Sequence, residues 1–164
     1  MLIAPAGAGK TTFAARHFDP HEILSSDAYR ALMAGDEADQ RATRAAFRRL
    51  HQDLERRLAG RRLTVVDATN VERSARRALL VRAEAAGVPG VAIVLDLPPA
   101  VILSRNAGRQ ARVVDEAVVR RHLARLRESL DGAPSPLDGE GFLRVVVLRD
   151  PRVVDSVTVR RQSG

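Results

Sequence analysis

The run Ala4-Pro5-Ala6-Gly7-Ala8-Gly9-Lys10-Thr11 lies near the start of the chain and nearly spells the phosphate-binding loop G-x-x-x-x-G-K-[ST], with Ala4 in place of the first glycine. Gly7 and Gly9 supply a sharp backbone path. Backbone N–H groups of Ala6, Gly7, Ala8 and Gly9, and of the helix start through Thr12, can cradle phosphate oxygens. The Lys10 ammonium can reach the β- and γ-phosphates of a nucleoside triphosphate such as ATP, and the Thr11 hydroxyl can ligate Mg2+ or Mn2+. Ala4 adds one methyl, which the strand end tolerates if its φ stays negative. A plain Ala/Gly turn is the competing reading. Strand, glycines, lysine, hydroxyl and helix in this order favour nucleotide binding.

Composition sharpens the point. Of 27 basic residues, 26 are arginine, and the single lysine is Lys10. Placed at random among those 27 positions, it would fall in this slot about once in 27. A compact ammonium suits a phosphate loop, where the guanidinium fork is a poor substitute. The same skew makes arginine clusters elsewhere weak evidence, although a net charge of +7 is compatible with a polyanionic partner.

Two carboxylates stand where apolar runs end: Asp27 after "HEILSS" and Asp67 after "RLTVV". In an open α/β sheet, ligands gather outside the carboxyl ends of the strands, so both should face the loop's crevice. Beside a γ-phosphate, Asp27 could accept the proton of an attacking hydroxyl, with Arg30 one helical turn on facing the same acceptor. Alternatively, "SSD" is a helix N-cap. Spacing does not decide between these. Asp67 could arrange a metal's water or the substrate, or simply occupy a turn. Arg105, Arg109 and Arg112 stand at i, i+4 and i+7, on one helical face that could close over the nucleotide, or form a solvated basic face.

These residues need a frame. Leu2 and Ile3 read as the tail of a strand, followed by a helix from Lys10 to about His17. Further strands are expected at Glu22–Leu24, Leu63–Val66, "GVAIVLDLPP" and "FLRVVVLRD". Helices are expected from Gln40 to Gly60, with Phe47, Leu50, Leu54 and Leu58 as an apolar stripe, over Glu72–Ala86, and over 100–108 and 115–131. Asp131 to Gly141 reads as a polar loop. The alternation predicts an α/β fold with a mostly parallel central sheet. One domain of 164 residues is expected. Two or three residues before the loop make a very short first strand, or one that begins further upstream. With no cysteine, disulfide and thiolate chemistry are excluded. No signal peptide or membrane span is apparent, and a cytoplasmic location is expected.

Taken together, "GAGKTTFA", "SSDAYR", "DEADQ", "TVVDATN", "LDLP", "RNAGR" and "VVRRH" resemble the kinase module of bacterial polynucleotide 5′-kinase/3′-phosphatases, end-healing enzymes of RNA repair, over roughly residues 2 to 160. The resemblance implies a P-loop NTPase fold of kinase-like type, a three-layer sandwich, with a helical arginine lid at about 104–130. It implies ATP and metal at Lys10 and Thr11 and a general base at Asp27. It further implies a phosphate clamp at Arg30 assisted by Gln40, and lid contacts to ATP phosphates by Arg105 and Arg112, with Asn106 and Arg109 in the same lid. The expected activity is transfer of the ATP γ-phosphate to the 5′-hydroxyl end of RNA or DNA. A small-molecule kinase acting on a sugar or antibiotic hydroxyl is the alternative, and a non-catalytic ATP-binding switch the second. Departures are Ala4, the short first strand, the extra loop at 131–141, and the phosphatase and ligase-like domains that relatives carry, which would belong to a longer chain or separate proteins.

Overall fold

The computed structural model describes residues 1–33, 40–109 and 113–160. Among the described residues, five short strands pair in parallel. β1 (Leu2–Ile3) lies beside β4 (Val91–Leu95), and β4 beside β5 (Arg144–Leu148). Separately, β2 (Ile23–Ser25) pairs with β3 (Val65–Asp67). The two ladders meet at β1 and β3, where the Ala4 N–H donates to the Thr69 carbonyl at 3.0 Å. The side-chain amide of Asn70 donates to the Leu2 carbonyl at 2.8 Å. Asn70 is buried and left-handed, with φ 49, a conformation that asparagine tolerates better than most residues. The spatial order is therefore β2-β3-β1-β4-β5.

Alternation along the strands sends side chains to both faces. Leu2, Val65 and Leu95 pack with Phe13 and Ala14 of α1 (Lys10–His17), Ile102 of α5 (Pro99–Ala107) and Val154 of α7 (Pro151–Ser156). On the opposite face, Val66 packs with Leu50, Leu54 and Leu58 of α3 (Gln40–Ala59) and Leu79 of α4 (Arg73–Ala85). There too, Ile3 and Val94 pack with Leu126 of α6 (Glu116–Leu130) and Leu137. Helices thus cover both faces, giving the expected three-layer sandwich. None among the described residues is long and apolar enough to cross a membrane.

Several expectations shift in detail. Glu22 closes a 3-10 turn, Pro20–Glu22, and β2 starts at Ile23. Leu63 is 48% exposed and β3 begins only at Val65, because the apolar run starts before the sheet does. Phe47 is half-buried while Leu50, Leu54 and Leu58 form the core stripe. The segment at 131–141 contains a 3-10 helix, Pro136–Glu140, whose Leu137 is wholly buried. Helix α7 was not anticipated; Asp150 caps it by accepting from the Arg152 N–H, and Pro151 opens it.

Candidate active site

The loop between β1 and α1 has the backbone its glycines suggested. Gly7 (φ 85) and Gly9 (φ 91) are left-handed. A Cβ on Gly7 would also lie 2.7 Å from the Ile102 carbonyl oxygen, so the site admits only glycine. Among the described non-glycine residues only Arg61 and Asn70 have positive φ, so Ala4 sits unstrained at the strand end. Ala8 is wholly buried against the core.

Lys10 Nζ donates to the carbonyls of Ala4 at 3.0 Å and Pro5 at 2.7 Å. Burial pushes its pKa down to about 8; Asp67 and Asp27 pull it upward, and Arg109 pushes it down further. Thr11 Oγ1 donates to Asp67 Oδ2 at 2.8 Å. Asp67 is only 4% exposed. Burial raises its pKa, while the Thr11 hydrogen bond and the Lys10 charge oppose the rise. A hydroxyl beside a carboxylate, both facing the loop, is a hard-oxygen donor set suited to Mg2+ or Mn2+.

Asp27 does not end β2. It lies in the first turn of α2 (Ser26–Met33), because the strand stops at Ser25. Arg30, one turn on, donates through Nη2 to Asp27 Oδ1 and to the Ser26 hydroxyl at 3.4 Å. Burial would raise the Asp27 pKa, but Arg30, Arg109 and Lys10 outweigh it and hold the carboxyl below the ordinary carboxylate range. The buried Arg30 Nε has no hydrogen-bond partner among the described residues.

Arg109 departs from the expected helical face. Gly108 caps α5, its N–H returning to the Ser104 carbonyl, so Arg109 lies beyond the helix. Both Arg105 and Arg109 nevertheless line one cleft with Gly7, Gly9, Lys10, Thr11, Thr12, Asp27, Arg30 and Asp67. Arg105 approaches Gly9 closely: a Cβ there would lie 3.5 Å from Arg105 Nη1. Arg112 lies outside the described residues, as does the side chain of Gln40, although Gln40 begins α3. The cleft measures about 830 Å3 and extends to residues that sequence reasoning missed: Arg16, Val154 and Asp155. Arg16 Nη1 donates to the Asp155 carbonyl at 2.8 Å. Arg16 was accessible to reasoning, standing four residues after Thr12 on the same helix. Asp155, on an unanticipated helix, carried no signal.

Comparison with known proteins bears on the family and the fold. The sequence matches the family model of an AAA domain over residues 1–132. No curated protein matches it. An unliganded sugar kinase from Janibacter sp. shares the fold with a TM-score of 0.58 at 22% identity, the match covering 93% of this chain and 87% of that one. A gluconokinase from Sinorhizobium meliloti does so with a TM-score of 0.55 at 16% identity, over 94% and 83%. With its glycine loop, lone lysine and parallel sheet, the chain belongs to the AAA domain family and has the fold of a P-loop kinase-like module.

Proposed function

We propose that this protein is an ATP-dependent phosphotransferase that moves the γ-phosphate onto a hydroxyl of a small-molecule acceptor. The observation that carries the reading is the Asp27 carboxylate, clasped by Arg30, in the same cleft as Lys10, Thr11 and Asp67. Asp27 is ionised at neutral pH and accepts a hydrogen bond from the acceptor hydroxyl. That oxygen bonds to the γ-phosphorus as the bond to the β-phosphate bridging oxygen breaks. ADP leaves with the electron pair, and the hydroxyl proton passes to Asp27 and then to water. Such transition states are loose, so a carboxylate of low pKa suffices to orient the hydroxyl and take its proton late. Lys10, Arg105 and Arg109 bring positive charge to the phosphates. Thr11 and Asp67 are the residues that would hold Mg2+ or Mn2+, which would neutralise phosphate charge.

The small-molecule acceptor is supported by the likeness to a sugar kinase and a gluconokinase. A second reading, a polynucleotide 5′-hydroxyl kinase, is supported by Arg30: a guanidinium beside the base could hold the phosphate next to a reacting 5′-hydroxyl. The test is transfer from γ-labelled ATP with Mg2+ to a panel of sugars, sugar acids and aminoglycoside alcohols, alongside 5′-hydroxyl oligonucleotides. Label on a small alcohol, lost in Asp27→Ala, is expected. Label on the oligonucleotide instead moves the assignment to the second reading. ATP binding with no transfer to either class leaves a nucleotide-binding switch.

A further inference from the structure

Asn106 is the last residue but one of α5 and is 4% exposed, yet it lines no part of the cleft. Its amide makes two hydrogen bonds to one partner. Nδ2 donates to the Val114 carbonyl at 2.7 Å, and the Val114 N–H donates to Oδ1 at 3.2 Å. This is the pairing one strand gives another, supplied by a side chain. The base of Asn106 packs on the phosphate loop: a Cβ on Gly7 would lie 3.0 Å from the Asn106 Cβ and 3.2 Å from its nitrogen. Asn106 therefore touches the loop at its root and grips the backbone eight residues on at its tip. Arg105 precedes it, Arg109 follows it, and Val114 itself lines the cleft.

We infer that Asn106 is a positioning residue for nucleotide binding, its amide tying Val114 to the end of α5 so that Arg105 and Arg109 are held over the phosphate loop. An unbranched apolar side chain would fill the space but leave the Val114 N–H and carbonyl, both part-buried, without the amide that pairs them here. Aspartate could still accept from the N–H, yet would set a carboxylate against the Val114 carbonyl. Only a carboxamide meets both groups. The inference rests on the phosphate-loop reading but not on the identity of the acceptor, so its readout is ATP binding rather than turnover.

The experiment measures the Kd of the whole chain for a fluorescent ATP analogue with Mg2+, together with Tm, for Asn106→Ala, Asn106→Asp, Arg105→Ala/Arg109→Ala, and the triple variant adding Asn106→Ala. Expected is a loss of about tenfold in affinity for each Asn106 variant, the scale of one net hydrogen bond. The triple variant should bind no worse than the double arginine variant, because Asn106 acts through those arginines. Three results would overturn the inference. Asn106→Ala could bind as wild type, or its tenfold loss could persist in full on the double arginine background. Both single variants could fail to fold, which would make Asn106 a packing residue of the core.

Discussion

Thr11 Oγ1 and Asp67 Oδ2, 56 residues apart in sequence, lie 2.8 Å apart and join the start of α1 to the end of β3. The bond orients the hydroxyl that, in the proposed reaction, would face the cation, and it partly balances the burial of Asp67. Removing either partner should therefore act on the metal. Thr11→Ala and Asp67→Asn are expected to raise the Mg2+ concentration required for half-maximal ATP binding by about tenfold or more, since losing a residue that would hold the metal costs at least as much as disturbing a ligand's supporting partner. Thr11→Ser, which keeps the hydroxyl, should restore it. A Mg2+ titration of ATP-analogue binding checks all three.

Asp27 is asked to do chemistry rather than binding. Asp27→Ala should lower kcat by about two to four orders of magnitude, the usual worth of a positioned base. ATP affinity should stay level or tighten, because a negative charge that Lys10 feels has been removed from beside the γ-phosphate. Weakened ATP binding with kcat preserved would assign the carboxylate to the donor nucleotide and remove it from the base role.

The residues legible in the sequence were those whose demands are local. Two left-handed glycines, a lysine and a hydroxyl at fixed spacing require no knowledge of distant partners, and short apolar runs announced most of the strands. What stayed hidden depends on contacts across the chain. Asn70 bridges the two ladders by bonding Leu2, 68 positions away, and nothing periodic marks an amide that substitutes for a strand contact. Asp27 stayed open between a base and a helix cap because "SSD" suits a cap; the start of α2 at Ser26 puts Asp27 inside the first turn, past the cap position. Helix α7 is six residues long, too short for its 3.6-residue period to show, so Asp155 went unseen. Gly108 could have warned that Arg109 falls outside the helix that carries Arg105, since glycine commonly closes a helix.

Lys10 gives the cleft a pH dependence. Its pKa is pushed down to about 8, so the free protein holds a cation below that pH and a neutral amine above it. Phosphates of bound ATP stabilise the cation and raise the pKa. The profile of kcat/KM for ATP, which reports the free enzyme, should therefore fall as pH rises through about 8, while kcat stays flat over that range. Asp27, held below the ordinary carboxylate range, should add no acid limb near neutrality. Steady-state kinetics between pH 6 and about 10 would show the split; an alkaline fall in both parameters alike would place the titration elsewhere.

The polar loop at 131–141 has a structural duty. Arg76, 1% exposed, donates to Glu140 from Nε at 2.7 Å and from Nη2 at 2.5 Å, while Nη1 donates to the carbonyls of Asn70 and Val71. One guanidinium thus ties α4, the turn after β3 and the 3-10 helix together. Glu140→Ala strands a buried charge and should lower stability by about 3–5 kcal/mol in urea unfolding. ATP affinity of the folded protein should hold, because neither residue lines the cleft.

Ala4 invites the opposite kind of test, a change that restores the expected motif. The pattern asks for glycine, but Ala4 has no left-handed φ to relieve, is wholly buried, and donates its N–H to Thr69 as any residue but proline could. Glycine there would gain no conformational necessity. It would enlarge the freedom of the unfolded chain and leave a methyl-sized gap beside the core. Ala4→Gly should therefore destabilise by about 0.5–1 kcal/mol from the backbone alone, with the gap adding to it. At about 2–4 °C per kcal/mol for a chain of this size, Tm should drop by a few degrees. ATP affinity should not improve, because the phosphate-facing backbone turns at Gly7 and Gly9. Tighter ATP binding in Ala4→Gly would show instead that the methyl holds the loop away from its best phosphate geometry.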